Sequence, residues 1–380
     1  MKKILVLNTG SSSIKFKIFE LGLGNELIVE KEGDIAGIGL SEGPKNHQIA
    51  LSLLFEGFGL HSGALNKIDG LVAIAHRIIH SCDEYIKPVL INKKVIKNIA
   101  KYSMLEPLHT KPILKVIESV YHNSGKSGHR TIPNYAVSDS SLYHNLPDKA
   151  KYYPISKKCQ ERYQIRRIGF HGLSHNNSYQ QIILKYGRVE NMISLHLGAG
   201  CSITAFKNGR VIDTSMGLTP LEGLMMGTRP GDIDPGIILF LLSKRWSTKD
   251  VSNLLNHQSG LLGVSGASSD MKDILYLAGE KVEDEYKPKI SLSNLSSQYH
   301  NDAKLALEMF IYKIQKYIGA YSAALGGVDV LAFTGKIGVG SSVIRERILA
   351  DIKHLINGVK IEVISTDEEQ QIVKEIIPLI

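Results

Sequence analysis

Cysteine is scarce in this sequence: Cys82, Cys159 and Cys201 stand far apart, odd in number and without a Cys-x-x-Cys pair. That excludes a disulfide framework and a zinc knuckle, and it is the usage expected of a reducing compartment. Long apolar runs are missing as well. No stretch approaches the roughly 20 residues that a membrane span needs. The opening MKKILVLN is basic in the manner of a signal peptide, but its apolar run breaks at Asn8, well short of a signal's apolar core. The expectation is a cytoplasmic protein with no membrane partner. Also absent is any basic run interleaved with aromatics. The net charge of +8 is spread along the chain, which argues for small anionic ligands and against nucleic acid.

What is present begins with size. At 380 residues, with 43% hydrophobic and 22% charged content, the chain is an ordinary globular one that exceeds the range in which a single core keeps growing. Two domains are expected. Crowding of Ser, Tyr, Asn, Pro and Lys between Asp139 and Pro154 marks the boundary, giving domains at 1–145 and 146–368 with a terminal helix, 369–380, packing back on the first.

The strongest pattern is a pair of similar segments, LVLNTGSSSIKFKIFE from Leu5 and ISLHLGAGCSITAFKNG from Ile193. Each reads as strand, tight turn, strand. An apolar run ends in small residues and an alternating run follows, with Ser13, Lys15 and Lys17 set against Ile14, Phe16 and Ile18 in the first copy. Turns of Gly and Ser leave backbone N–H groups close together and free to hold phosphate oxygens. One such turn is most simply a turn. Two at matching places point to two related domains and one polyphosphate. Neither is a P-loop or a dinucleotide fingerprint, since no Gly-Lys-Ser/Thr or G-x-G-x-x-G occupies either turn.

The rest of the chain reads as α/β. A polar stretch, EGDIAGIGLSEGPKNHQ, is a meander or surface excursion; a buried strand covers Leu71 to Ala75 and delivers HRIIH at its end. Helical spacing runs from Lys93 to Tyr102 and from Pro112 to Val120, and a short strand, NYAVSD, ends on Asp139. In the second half MGLTPLEGLMMGTRPGDIDPG is too rich in turn formers to be one element. Helices are expected at Ile237 to Lys244, Lys249 to Asn256 and Ala303 to Leu325. A strand, VDVLAFTG, feeds a third glycine turn, KIGVGSS, followed by a helix from Val343 and a terminal helix over Glu368 to Ile377.

Several residues could carry chemistry. Arg77 and Arg229 stand where a strand or a Gly-rich loop ends, and a guanidinium is a fixed cationic fork suited to phosphate and carboxylate. A surface ion pair or a bridge between domains is the plain alternative for each. His171 and His175 in FHGLSH are spaced for metal, but Gly172 and the lack of the Glu of H-E-x-x-H argue against zinc. Asp139 could bind Mg2+, orient an Arg, act as a base or serve only as an N-cap. Asn8 and Glu368 are oxygen ligands of the kind Mg2+ accepts beside phosphates.

In order along the chain, NTGSSSIKF, HRIIH, PLH, FHGLSH, HLGAGCSI, DTSMGLTPLEGLMMGTRPGDIDP, SGASSDM and AFTGKIG resemble the acetate kinase family, the short-chain carboxylate kinases. The resemblance runs from Met1 to the C-terminal helix. It implies two duplicated RNase H-like domains of the acetate and sugar kinase/Hsp70/actin type around a nucleotide cleft, and a homodimer. The implied reaction is transfer of the γ-phosphoryl group of ATP to acetate, giving ADP and acetyl phosphate by direct in-line attack, with Mg2+ or alternatively Mn2+. By position, Asn8 and Glu368 would help bind the metal, while Ser11, Ser13 and Lys15 would form the first phosphate turn. Arg77 and Arg229 would flank the transferring group, His171 would donate to it and Asp139 would act as acid or organiser. Ile79, Leu108, Phe170 and Pro220 would line a small pocket for the substrate methyl group, beside Arg77. His196, Leu197, Gly198, Ala199 and Gly200 would form the second phosphate turn. Asp270, Met271, Lys272, Gly335, Lys336, Ile337, Gly338 and Val339 would contact the adenosine.

The chain departs from the family pattern near the nucleotide. Ala199 stands in LGAG where the family has LGNG, and GKIGVG replaces G-G-I-G-E-N, placing Lys336, Val339 and Gly340 where Gly, an acid and an amide are usual. A Lys at a glycine position predicts φ strain or an altered approach of adenosine. HSCDEY replaces HGGEKF after Arg77, and the stretch from Arg345 to Val363 is shortened. Alternatives are therefore a propionate- or butyrate-preferring kinase, since one methylene is worth only about 1–3 kcal/mol in an apolar pocket, and a degenerate nucleotide-binding protein with weak turnover. An Hsp70- or actin-like ATPase would hydrolyse ATP without a carboxylate.

Overall fold

The computed structural model describes residues 1–380 apart from 41–42, 59–64, 66–67, 81–83, 106, 125–130, 283–285 and 289–296. Cys82 and part of the HSCDEY departure therefore lie outside the described residues. The chain forms two compact units, one of Met1–His144 with Asp367–Ile380 and one of Asn145–Thr366. Glu368 thus belongs to the first unit, one residue after the chain re-enters it at Asp367.

In the first unit, β1 (Lys2–Thr9), β2 (Ile14–Leu21), β3 (Leu27–Ile35), β4 (Leu71–Ile78), β5 (Val89–Leu90) and β6 (Asn134–Ser138) form a sheet in the order β3-β2-β1-β4-β6-β5. β1, β2 and β3 are an antiparallel meander, and the polar stretch read as meander or excursion begins with the last four residues of the third strand, Glu32 to Ile35. β4 runs parallel to β1 and β6 parallel to β4. Strand β1 is apolar on both faces because both are covered. Leu5 and Leu7 join a core with Leu51, Leu54, Val116 and Val120 from α1 (His47–Gly57) and α3 (Pro107–Ser124). α2 (Lys93–Lys101) packs on α3. Helix α3 starts five residues before Pro112, which sits inside it.

The second unit begins with α4 (Asp148–Lys151), α5 (Lys157–Tyr163) and α6 (Gly172–Tyr186). Its sheet contains β7 (Asn191–Leu197), β8 (Cys201–Lys207), β9 (Arg210–Thr214), β10 (Val330–Thr334) and β11 (Lys360–Val363), in the order β11-β10-β7-β8-β9. β9 follows β8 through Asn208-Gly209, both at positive φ, the backbone that a two-residue hairpin turn requires. That Asn-Gly signal lies in the sequence but was not singled out there, and neither was α1. No regular element occupies the glycine- and proline-rich stretch between Thr214 and Pro235. Then come α7 (Pro235–Ser243), α8 (Thr248–His257), α9 (Gly260–Ser265), α10 (Met271–Ala278) and α11 (Ser297–Leu325), and after β10 come α12 (Gly335–Gly340) and α13 (Ser342–Ala350).

α12 corrects an expectation. KIGVGSS is a short helix and not a loop, and Lys336 is helical and exposed, without positive φ. Gly335 alone takes the left-handed conformation, at φ +79, and a Cβ there would stand 2.5 Å from the Leu197 carbonyl oxygen. The glycine preceding Lys336 makes the turn, so the lysine carries no strain. Arg345 Nη1 then donates to the Gly338 and Val339 carbonyls at 2.8 and 2.7 Å, satisfying the end of the helix. Finally α14 (Glu368–Ile376) returns to the first unit against β1 and β4, with Asp367 capping it through Gln370 N at 2.8 Å.

Candidate active site

Each unit places its functional side chains at one end of its sheet. In the first, β1, β4 and β6 are parallel, and Asn8, Arg77 and Asp139 lie at or just past their C-terminal ends. This is the edge where open α/β sheets bind ligands. Arg77 is the hub. Its Nη2 donates to Asp139 Oδ2 at 2.8 Å, and its Nη1 donates to Glu368 Oε2 at 2.8 Å and to Asn8 Oδ1 at 3.1 Å. Burial alone would disfavour this guanidinium, but Asp139 and Glu368 outweigh it and raise its pKa, so the charge is permanent. Asp139 is 1% exposed, and the Arg77 guanidinium compensates its charge at 2.8 Å.

Asn8 Nδ2 also donates to Glu369 Oε1 at 2.7 Å, a residue the sequence reading did not single out. Burial raises the Glu369 pKa, partly offset by the Asn8 bond and reinforced by Glu368 and Asp367. Lys17 answers this negative charge from β2, 2.6 Å from Asp367 Oδ2. The oxygens of Asn8 and Glu368 at one edge are a hard donor set, and Mg2+ commonly takes one or two protein oxygens beside water and phosphate. They fit a magnesium ion chemically. Ser11 lies exposed in the turn that joins β1 to β2, Ser13 closes it by accepting from Gly10 N at 2.8 Å, and Lys15 pairs across from Asn8.

In the second unit His171 precedes α6 at φ +58, an uncommon backbone for a residue with a side chain. Its Nδ1 bonds Ser202 Oγ at 2.9 Å, and its ring stacks on His196 with centroids 4.3 Å apart. His196 Nδ1 in turn meets Ser174 Oγ at 2.8 Å. A Cβ built on Gly200 would stand 3.0 Å from Arg229 Nη2 and 3.3 Å from His171 Nε2. His171 and Arg229 therefore converge over the turn between β7 and β8. Arg229 Nη1 donates to the Pro220 carbonyl at 3.1 Å. The irregular stretch that carries both is anchored by Arg167, which donates to the carbonyls of Thr214, Ser215 and Met216 and to Glu222 Oε1 at 2.7 Å. Tyr153 also donates to Glu222.

The remaining expected residues are spread over both units. Ile79 is buried after β4, Phe170 is buried next to His171 and Pro220 is buried below Arg229. Leu108 lies in α3, and its side chain is outside the described residues. Leu197 and Gly198 are buried at the end of β7, while Ala199 is exposed and accepts from Gly227 N at 3.2 Å. Asp270 caps α10 through Lys272 N at 3.0 Å, Met271 is buried and Lys272 is exposed. In α12, Ile337 and Val339 are half-buried and Gly338 is buried. Among the described residues no group of three or more His, Cys, Asp or Glu could by itself hold a metal, and no helix is long and apolar enough to cross a membrane.

Residues 3–377 match the model of the Acetokinase family. The chain belongs to that family. It is 38% identical over 379 residues to the acetate kinase of Bacteroides thetaiotaomicron, covering 95% of this chain and 89% of that protein. Among solved structures, an acetate kinase from Porphyromonas gingivalis superposes with TM-score 0.79 at 30% identity over 99% of this chain and 98% of that one. A propionate kinase from Francisella tularensis gives TM-score 0.82 at 31% identity and 99% coverage of both. An acetokinase is a phosphotransferase with a carboxyl acceptor, and ATP and ADP are its nucleotide substrates. The expected fold class is the one found, α/β with two sheets, as in these solved kinases. Of the side chains that build this candidate site, the sequence reading missed Glu369, Ser202, Arg167 and Glu222. Ser202 carried one signal: it lies two residues past Gly200, in the alternating run that follows the second small-residue turn.

Proposed function

We propose that this protein is an acetate kinase that moves the γ-phosphoryl group of ATP directly onto an acetate oxygen, forming acetyl phosphate and ADP. The observation that carries the reading is the convergence of His171 and Arg229 over Gly200, matched in the first unit by Arg77 fixed between Asp139 and Glu368. A carboxylate attacking a phosphoryl group is anion meeting anion, so catalysis rests on fixed cationic charge and alignment. Two guanidiniums and an imidazole N–H supply these. Acetate is already ionised at neutral pH, so no base is needed and Asp139 serves to hold Arg77. Asn8 and Glu368 would hold Mg2+, which would supply positive charge against the phosphate oxygens. Ile79, Leu108, Phe170 and Pro220 are assigned to the substrate methyl group. The adenosine is assigned to Asp270, Met271 and Lys272 with the start of α12.

Acetate is favoured over propionate on the weight of relatives named acetate kinase, although one similar structure is a propionate kinase. The departures at Ala199 and Lys336 are both exposed and unstrained, which speaks for turnover over a degenerate binder. We also assign a homodimer, because no residue of α7 is buried and its Leu239 and Phe240 are 69% and 59% exposed. Trapping acetyl phosphate as hydroxamate from acetate and MgATP tests the reaction. Arg229→Ala and Arg77→Lys are each expected to lower kcat by at least about 10²-fold. Unchanged turnover in either removes that guanidinium from the transfer, and ATP binding without acetyl phosphate overturns the assignment.

A further inference from the structure

Four side chains of the second unit form a line of hydrogen bonds that the transfer step does not use. Ser194 Oγ meets His175 Nδ1 at 2.8 Å, His175 Nε2 meets Ser202 Oγ at 2.8 Å, and Ser202 Oγ meets His171 Nδ1 at 2.9 Å. Ser194, His175 and Ser202 are all fully buried. Every link joins a hydroxyl to an imidazole nitrogen, and both groups can donate or accept. Burial, with His196 nearby, pushes the His175 pKa well below the usual range, so this ring stays neutral and carries one N–H.

A chain of that composition has two self-consistent senses. In the first, Ser194 O–H donates to His175 Nδ1, His175 Nε2–H donates to Ser202, and Ser202 O–H donates to His171 Nδ1. The proton of a neutral His171 then sits on Nε2. In the second sense every bond is reversed: His171 Nδ1–H donates to Ser202, Ser202 O–H to His175 Nε2, and His175 Nδ1–H to Ser194. That sense serves a charged His171, which carries protons on both nitrogens. An anion standing at Nε2 rejects a lone pair there, so the proton lost on neutralisation is the one on Nδ1. The bared Nδ1 needs a donor, and a reversed line supplies it.

We infer that Ser194, His175 and Ser202 form a tautomer relay, positioning residues that keep a proton on His171 Nε2 whether that ring is charged or neutral. The inference rests on the reading of His171 as donor to the transferring phosphoryl group. Protons balance: one leaves to solvent when His171 is neutralised, and four remain on the line with each bond reversed. The Nε2 edge is the one that reaches Gly200 beside Arg229. The other titratable or charged groups facing the line are His196, stacked on His171 from β7, and Arg229 from the irregular stretch, while Cys201, next to Ser202 on β8, points to the other side and bonds the Gly198 carbonyl. The Cys201 thiol is buried, which pushes its pKa up to about 12 and keeps it neutral throughout.

Imidazole nitrogen NMR on the full-length enzyme with MgADP, acetate and nitrate, a planar anion standing in for the transferring group, reads the relay directly. As pH rises through the His171 titration, His175 is expected to stay neutral while its proton moves from Nδ1 to Nε2. Ser202→Ala should abolish that exchange. So should Ser194→Ala, which breaks the far end of the line and serves if the first variant unfolds. In kinetics, wild-type kcat is expected to stay level across this range, whereas Ser202→Ala loses about ten-fold on its alkaline side with KM for acetate within about two-fold, and Ser202→Thr restores the level profile. A His175 tautomer that ignores His171, or that exchanges equally in both alanine variants, overturns the relay. If the exchange is seen and is lost in Ser202→Ala while kcat stays level, the positioning role falls and the bonded line alone survives, whereas the reading of His171 as donor falls only if His171→Ala also leaves kcat unchanged.

Discussion

His76 and Arg77 are neighbours on β4 with opposite fates, because successive strand residues face opposite sides. Arg77 turns to Asp139 and Glu368, while His76 is buried against Asn134, 3.0 Å from Nε2 to Oδ1. Burial pushes the His76 pKa down to about 4 from 6.5, against the opposing pull of the Asn134 bond. The unfolded chain therefore takes up this proton near pH 6.5 while the folded protein refuses it until about 4. Stability is lost as pH falls through that window, by up to about 1.4 kcal/mol per pH unit for one proton, and His76 contributes no slope above it. His175 adds to the same loss. Urea unfolding between pH 4 and 7 is expected to show a slope shallower by about one proton in His76→Gln; equal slopes would mean that folded His76 is charged. The motif HRIIH was visible in the sequence, but which of its residues faces the ligand edge was a matter of strand register.

Among the elements, the turn between β7 and β8 is set by what surrounds it. Gly200 lies outside the left-handed region, so it is needed for space and not for its φ. In Gly200→Ala the new methyl would press on Arg229 Nη2 at 3.0 Å and on a His171 ring that Ser202 already holds. The backbone is unstrained, so thermal stability should barely change while kcat falls about ten-fold through misplacement of the two donors. Equal losses of stability and activity in calorimetry and steady-state kinetics would count against a local effect. The hairpins, β4, β6, α2 and the strand feeding α12 were legible because period and turn chemistry are local. The expected third glycine turn was not: Gly335 makes its turn in one residue under the Leu197 carbonyl, and Arg345, seven positions beyond Gly338, completes the helix next to it.

Across the whole molecule the two sheets repeat one plan. β3-β2-β1-β4-β6 in the first unit matches β9-β8-β7-β10-β11 in the second, a meander followed by two parallel strands. The repeated hairpin seen in the sequence is the start of that plan in each unit. The proposed homodimer belongs to this scale as well. Leu239 and Phe240 lie exposed on α7, with Trp246 39% exposed just beyond it, an apolar surface of the kind that association covers. Leu239→Asp together with Phe240→Asp is expected to yield a monomer in sedimentation equilibrium, and a dimer that survives both changes would place the contact elsewhere.

By itself the sequence determined the α/β class, the two small-residue turns and the arginines at a strand end and in a glycine-rich loop, because each of these depends on residues within a few positions of one another. The tertiary structure decided the partners. Glu368 reaches Arg77 across 291 positions, and Ser202 comes to lie between His171 and His175. Such meetings are fixed by the register of parallel strands and by the return of α14 to the first sheet, and no local pattern encodes where a distant strand will stop.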